Sequence, residues 1–170
     1  MLITETGAGL AEAESYASVA AADTRCISLG LTAWAALTEV DKEIALRRAT
    51  LFMSTYRTRW AGRRVHQQQA LDWPRYNVAV DGFVLPSTSV PIDVVNACID
   101  LAVRAGSGED LLPDLDTGSN AIKKDKTGPL ETEYFQNTTD ARERFVAVDV
   151  ILAPYFGVVG GGNSIKVTRA

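Results

Sequence analysis

Apolar residues return at intervals of three and four along four stretches of this chain, separated by polar and glycine-rich links. The clearest stretch predicts a helix from Thr38 towards Gly62. Val40, Ile44, Ala45, Ala49, Phe52, Met53, Tyr56 and Trp60 fall on one stripe, while Lys42, Glu43, Arg47 and Arg48 mostly take other faces. Thr38 with Asp41 forms a variant capping box, and Gly62 is placed to end the helix. Before it, Ser18 is an N-cap and Gly30 a C′ residue around an alanine-rich run, giving a first helix of about three turns. After it, Pro91 opens a third helix whose buried stripe is Ile92, Val95, Cys98, Ile99, Ala102 and Val103, stopped by Gly106. A fourth runs from about Ala141 to Leu152, with Phe145, Val148 and Leu152 on one face and Pro154 at its end.

Between these helices the pattern changes. Residues 61–90 read as loop with short extended pieces, and Asp81-Gly82 is a turn dipeptide between two apolar stretches. Ile122–Lys126 and Leu130–Phe135 flank Thr127-Gly128-Pro129 as a β-hairpin, a lysine-rich strand facing a glutamate-bearing one. Residues 1–14 have little periodicity and read as an extended arm. Gly160-Gly161-Gly162 is a hinge, and Ile165-Lys166-Val167-Thr168 behind it alternates like a strand with no local partner. The expected architecture is mainly α. It is a small bundle of about four helices with a β-hairpin, divided into an arm (1–14), a helical domain (15–157) and a Gly-hinged arm (158–170). Residues Ile165, Lys166, Val167 and Thr168 are the candidate partner-binding strand, suited to adding to another chain's sheet edge.

Composition sets the bounds. A chain of 170 residues, 46% hydrophobic and 22% charged, can bury one core without disulfides or metals. Cys26 and Cys98 each lie in an apolar helical pattern and read as reduced, buried small residues, which suits a reducing cytosol. No run approaches the roughly 20 apolar residues of a membrane span, and no secretory leader is expected. A net charge of −4 opposes bulk nucleic-acid binding but leaves room for a local basic patch.

Little in the chain suggests catalysis. His66, the single histidine, sits in a glutamine-rich loop without the cysteines or carboxylates of a zinc site, and reads as a solvated loop residue. Gly160–Gly162 lacks the Lys-Ser/Thr and following helix of a phosphate loop. Asp110, Asp114 and Asp116 lack the central glycine and final glutamate of a calcium loop. No catalytic residue, metal site or cofactor is expected, and the chain reads as a protein that is not an enzyme.

One region departs from the rest. From Arg47 to Arg75 seven arginines oppose Asp72 alone, an excess of six positive charges interleaved with Tyr56, Trp60, Trp73 and Tyr76. Arginine on phosphate and aromatics on bases would make this a single-stranded DNA surface. The same segment could instead bury its aromatics and pair its arginines. Residues 76–118 carry an equal excess of negative charge. Arg57, Arg59, Arg63 and Arg64 could therefore meet Asp110, Asp114 and Asp116 of a neighbouring copy. Both uses, inter-subunit contact and DNA contact, stay open on the residues alone.

Several segments taken in order carry a family resemblance. They are Ser15-Tyr16-Ala17-Ser18-Val19, Ala33-Trp34-Ala35-Ala36-Leu37, Arg57 to Arg64, Gln69 to Arg75, Val90-Pro91, Lys126 to Tyr134 and Val148 to Pro154. Together they resemble the small head–tail connector (adaptor, or head-completion) proteins of tailed bacteriophages, and sequences of this kind are also labelled DnaT-like single-stranded DNA-binding proteins. The connector resemblance implies a structural virion protein assembled in the host bacterial cytoplasm. It would form a homo-oligomeric ring, twelve-fold like the portal, between the portal protein and a tail-side stopper or tail-completion protein, with genomic double-stranded DNA passing through. A single-stranded DNA-binding module using the Arg57–Arg75 segment is the alternative, and neither implies a membrane.

Overall fold

The computed structural model describes residues 1–112, 124–127, 130–133 and 145–157, the two middle stretches by backbone alone. Among these, five α-helices and three two-stranded antiparallel ladders make a helix-rich fold. The helices are α1 (Val19–Ser28), α2 (Thr32–Ala35), α3 (Glu39–Met53), α4 (Ile92–Gly106) and α5 (Val146–Leu152). The ladders pair β1 (Arg63–Arg64) with β2 (Arg75–Tyr76), β3 (Ala79–Val80) with β4 (Phe83–Val84), and β5 (Lys124–Thr127) with β6 (Leu130–Glu133).

The capping signals act as expected. Ser18 Oγ accepts from Ala21 N, and Thr38 Oγ1 accepts from Asp41 N, each satisfying one otherwise unpaired helix donor. Pro91 stands one position earlier than expected, as the N-cap of α4. The core is built on α3 against α4, the most extensive helix pair. Ala45 and Ala49 on α3, with Ala97, Ala102 and Ala105 on α4, are all buried, and short side chains let two helices approach closely. Between them Thr50 Oγ1 lies 3.4 Å from Cys98 Sγ, with Ser15 Oγ 3.8 Å from the same sulfur. Cys26 and Cys98 are both free and buried.

The α3 stripe is rotated from the expected one. Leu46 takes a fully buried position, whereas Val40 and Ile44 are 66% and 47% exposed. Intervals of three and four admit two neighbouring faces, and only the partner helix selects between them. The helix also stops at Met53, followed by a tight turn at Ser54–Tyr56. Tyr56 and Trp60 thus reach the core from a turn and an extended segment rather than from one long helix. Ile92 is likewise exposed at the start of α4, while Val94, Ala97 and Leu101 are buried there.

The stretch expected as an N-terminal arm is tied to the domain. Glu5 N donates to Ser15 O and Glu14 N to Ile3 O, and Ala70 N donates to Leu10 O. The buried Glu5 carboxylate accepts the amides of Gly7, Gly9 and Leu10 at 2.8–2.9 Å, so the loop folds around one anion. The hairpin expected near residues 122–135 is present as β5 and β6, whose register sets Lys124 opposite Glu133 and Lys126 opposite Glu131. The fourth helix is described from Val146; residues 141–144 and the strand Ile165–Thr168 lie outside the described residues.

Two predictions follow from these contacts. Glu5→Ala leaves three amides without their acceptor and lowers stability by about 2–4 kcal/mol in urea titrations; a change within about 0.5 kcal/mol would show that the carboxylate does not hold the loop. Asp23 accepts from Lys42 Nζ at 2.9 Å and Trp34 Nε1 at 2.7 Å, and the lysine foremost holds its carboxyl below the usual value, against a smaller opposing effect of burial. A depressed folded pKa contributes stability above the unfolded value of about 3.9, lost as pH falls through the folded value. Asp23→Asn therefore flattens the acid limb of the stability profile below about pH 4, read by thermal melts across that range.

Candidate functional site

The basic segment folds into a short ribbon that departs from the end of the α3 turn. Arg63 pairs across the ladder with Tyr76, and Arg64 with Arg75. Gly62 precedes the ribbon at φ +65°, and a Cβ there would strike the Tyr76 carbonyl, so glycine is required for the strands to close. The segment is locked from the other side by residues 155–157. Ala61 N donates to Tyr155 O and Gly157 N to Arg59 O, around an antiparallel bridge of Trp60 with Phe156.

The loop between the strands is exposed at His66–Gln68 but buried at Gln69 and Asp72–Pro74, so the polar groups of that second half close their hydrogen bonds internally. Gln69 Nε2 donates to Leu71 O and Pro74 O, while its Oε1 accepts from His66 N. Arg75, 7% exposed, donates to the carbonyls of Ala61, Gly62 and Asp72 at 2.6–3.1 Å. Burial is the main reason its pKa falls below the ordinary arginine value. Arg75 is a structural cation that staples the ribbon.

The other arginines divide by partner. Arg47 binds Glu14 through two bonds of 3.0 Å and also meets Glu43, and Arg48 lies 3.7 Å from Asp110. Arg59 meets Asp149 at 3.4 Å and lies 4.0 Å above the Phe156 ring, covering the aromatic cluster. Arg57 donates through Nε to Asp72 at 2.9 Å, and Arg64 through Nη1 to the Gln69 carbonyl. The Arg63 side chain is exposed and makes no hydrogen bond or ion pair with the described residues. The candidate contact residues thus split: Arg63 and Arg57 are exposed, the latter held on the Asp72 carboxylate, while Arg59 and Arg64 are half-buried and engaged. Asp110 faces Arg48 of its own chain; Asp114 and Asp116 lie outside the described residues.

The aromatics do not line that surface. Tyr56, Trp60 and Trp73 are at most 5% exposed, and their rings meet edge to face, Trp60 lying 5.8 Å from Trp73. A base cannot stack on a ring already enclosed by others. Tyr76, opposite Arg63, is exposed. Three residues on, β3 and β4 form a hairpin whose turn residues Asp81 and Gly82 both have positive φ, the geometry of a type I′ turn. Phe83 and Val84 beside that turn are each 76% exposed. Sequence reasoning found the Asp81-Gly82 turn but missed Phe83. Its one signal was an aromatic directly after a two-residue turn, where a neighbouring core is least able to reach it.

His66 is exposed, as expected of a loop residue. Among the described residues no group of three or more His, Cys, Asp or Glu is arranged to hold a metal, and no helix is long and apolar enough to cross a membrane. A groove of about 350 Å³ opens between α3 and the 70–72 loop, lined by Leu51, Arg57 and Asp72 among others.

A family model described as "Putative DnaT-like ssDNA binding protein" matches residues 1–170. No curated protein and no solved structure matches the chain. The full-length match corrects the connector expectation: the family is the DnaT-like one, and its description names single-stranded DNA. The ring beneath a portal, the twelve-fold assembly, the portal and tail-completion partners and the double-stranded channel are accordingly withdrawn. The label noted beside that resemblance is the one that matches.

The division among the arginines can be measured directly. Arg75→Ala strands three carbonyls in the core and costs about 2–4 kcal/mol in chemical denaturation, whereas Arg63→Ala stays within about 0.5 kcal/mol of the parent. Equal effects of the two substitutions would contradict the assignment.

Proposed function

The chain belongs to the DnaT-like single-stranded DNA-binding family, and on that premise we propose that it binds single-stranded DNA through the β1–β2 ribbon and the adjoining β3–β4 hairpin. The observation that carries this is the pairing of an unpartnered, exposed Arg63 with an exposed Tyr76 across one ladder. Arg64 follows Arg63 on β1, and Phe83 lies beyond the turn that follows β2, so the ribbon and the hairpin together supply cations and flat apolar rings. Phosphates need the first and unpaired bases the second.

Exposure of Phe83 and Val84 costs the free protein apolar surface that water must cover. Stacking against bases recovers that cost, which supports hairpin contact with a strand whose bases are free. Paired bases would hide the faces these rings need. The interface is small, and its charge is set against a chain of net −4. Binding is therefore local and sensitive to salt. The role is one of binding and assigns no bond-breaking step to any residue.

Fluorescence anisotropy with labelled oligothymidine tests the reading. Each phosphate neutralised adds about −0.7 to the slope of log affinity against log salt, so two or three arginines give a slope of about −1.4 to −2.1. Arg63→Ala with Arg64→Ala should lower its magnitude by about 1.4. Tyr76→Ala and Phe83→Ala should each weaken binding by about 1–3 kcal/mol with the slope unchanged. Binding that survives all four substitutions would place the interface elsewhere.

A further inference from the structure

The groove between α3 and the 70–72 loop is left unused by that interface, and its lining is unusual in one respect. It holds two arginine–carboxylate pairs, of which one is closed and the other is not. Glu14 and Arg47 are joined through both carboxylate oxygens. Arg57 uses only Nε, on Asp72 Oδ1 at 2.9 Å. Its two terminal amino groups donate to nothing among the described residues, and Asp72 Oδ2 accepts nothing from them. Asp72 is nevertheless 2% exposed. The enclosed side-chain atoms without a partner among the described residues are Trp60 Nε1 and Trp73 Nε1, so Asp72 Oδ2 meets solvent at the groove it lines, where a ligand donor takes the place of water.

The groove therefore offers a donor fork beside an acceptor, between the apolar walls of Leu51, Ala70 and Leu71. Its two cations and two anions cancel, which disfavours a phosphate and favours a neutral ligand. The walls ask for a flat apolar face. An edge carrying acceptors next to donors completes the match, and that combination describes a nucleobase. Among the bases, guanine presents N7 and O6 to an arginine fork and its adjoining N–H groups to a carboxylate. The volume of about 350 Å³ lies at the lower end of the range of small-ligand sites. Arg57 and Arg63 are six positions apart in the chain, so the groove lies within about 20 Å of the ribbon.

We propose that this groove is a base-specific pocket that takes one unpaired guanine, with Arg57 and Asp72 reading its edge. The proposal rests on the single-strand reading above and supplies the base preference that the ribbon alone lacks. The test compares oligothymidine with the same oligomer carrying one central deoxyguanosine, by anisotropy. The single guanine should tighten binding roughly ten-fold. Leu51→Trp, at an exposed position where it fills the groove without disturbing the core, should abolish that gain and leave oligothymidine affinity unchanged. Arg57→Ala should also remove the guanine gain, whatever its effect on oligothymidine, with circular dichroism as the folding control. Methyl resonances of Leu51, Ala70 and Leu71 should also shift with free deoxyguanosine and not with thymidine. Oligomer binding without a guanine gain overturns the pocket while leaving the ribbon interface standing, and so does a gain that persists in Leu51→Trp. Deoxyguanosine shifts without any oligomer binding support the pocket and refute the ribbon. Absence of both refutes the pocket outright.

Discussion

The structure depends on keeping half of one polar loop buried, and Asp72 is where that constraint is met. Its amide donates to Tyr16 Oη, its carbonyl accepts from Arg75, and its carboxylate holds Arg57. Three parts of the chain meet there: the segment entering α1, the turn after α3 and the ribbon. Loops ordinarily run over the surface because their backbone groups need water. The second half of this one is enclosed, so Gln69, Asp72 and Arg75 supply there what water would have given. Removing any of the three leaves groups that no neighbour can satisfy.

That network decides which charges are free to act. The segment carries many cations, but burial and pairing take most of them out of use. Arg75 is spent on three carbonyls, Arg59 on an acidic partner and an aromatic ring, Arg47 on two glutamates. What remains free is Arg63, beside a half-buried Arg64 on the Gln69 carbonyl and an exposed Arg57 on the buried Asp72 carboxylate. The aromatic residues are sorted the same way. Trp60 and Trp73 pack into a ring cluster and fix the ribbon, while Tyr76 and Phe83 are left outside. Buried and exposed aromatics therefore come from neighbouring residues of one segment.

The expectation that the Arg/aromatic region buries its aromatics and pairs its arginines holds in part. Pairing of arginines within the chain is extensive, and the large aromatics are core, which were the grounds for doubting a DNA surface. Yet the family match points to single-stranded DNA, and the structure leaves a smaller set of residues with the right chemistry. The resemblance to connector proteins rested on motifs that are now seen to be structural. Trp34, Trp73-Pro74 and Tyr16 are buried, so they report how the domain is built rather than what it meets.

The sequence by itself determined the elements. Ser18, Thr38 and Pro91 mark helix starts because capping is satisfied within a few residues of chain. Asp81-Gly82 marks its turn because positive φ is a property of the residues themselves. The β5–β6 hairpin, a lysine-bearing strand against a glutamate-bearing one, was legible for the same local reason. Only the tertiary structure decided which face of α3 is core, since Leu46 and Ile44 differ by little more than half a turn and the partner helix chooses. It alone folded residues 1–14 around Glu5 and separated Arg75 from Arg63, two identical side chains of opposite use. It alone left Phe83 bare and Trp60 enclosed. Burial is a property of everything packed around a residue, and nothing in the chain within a few positions of these side chains records it.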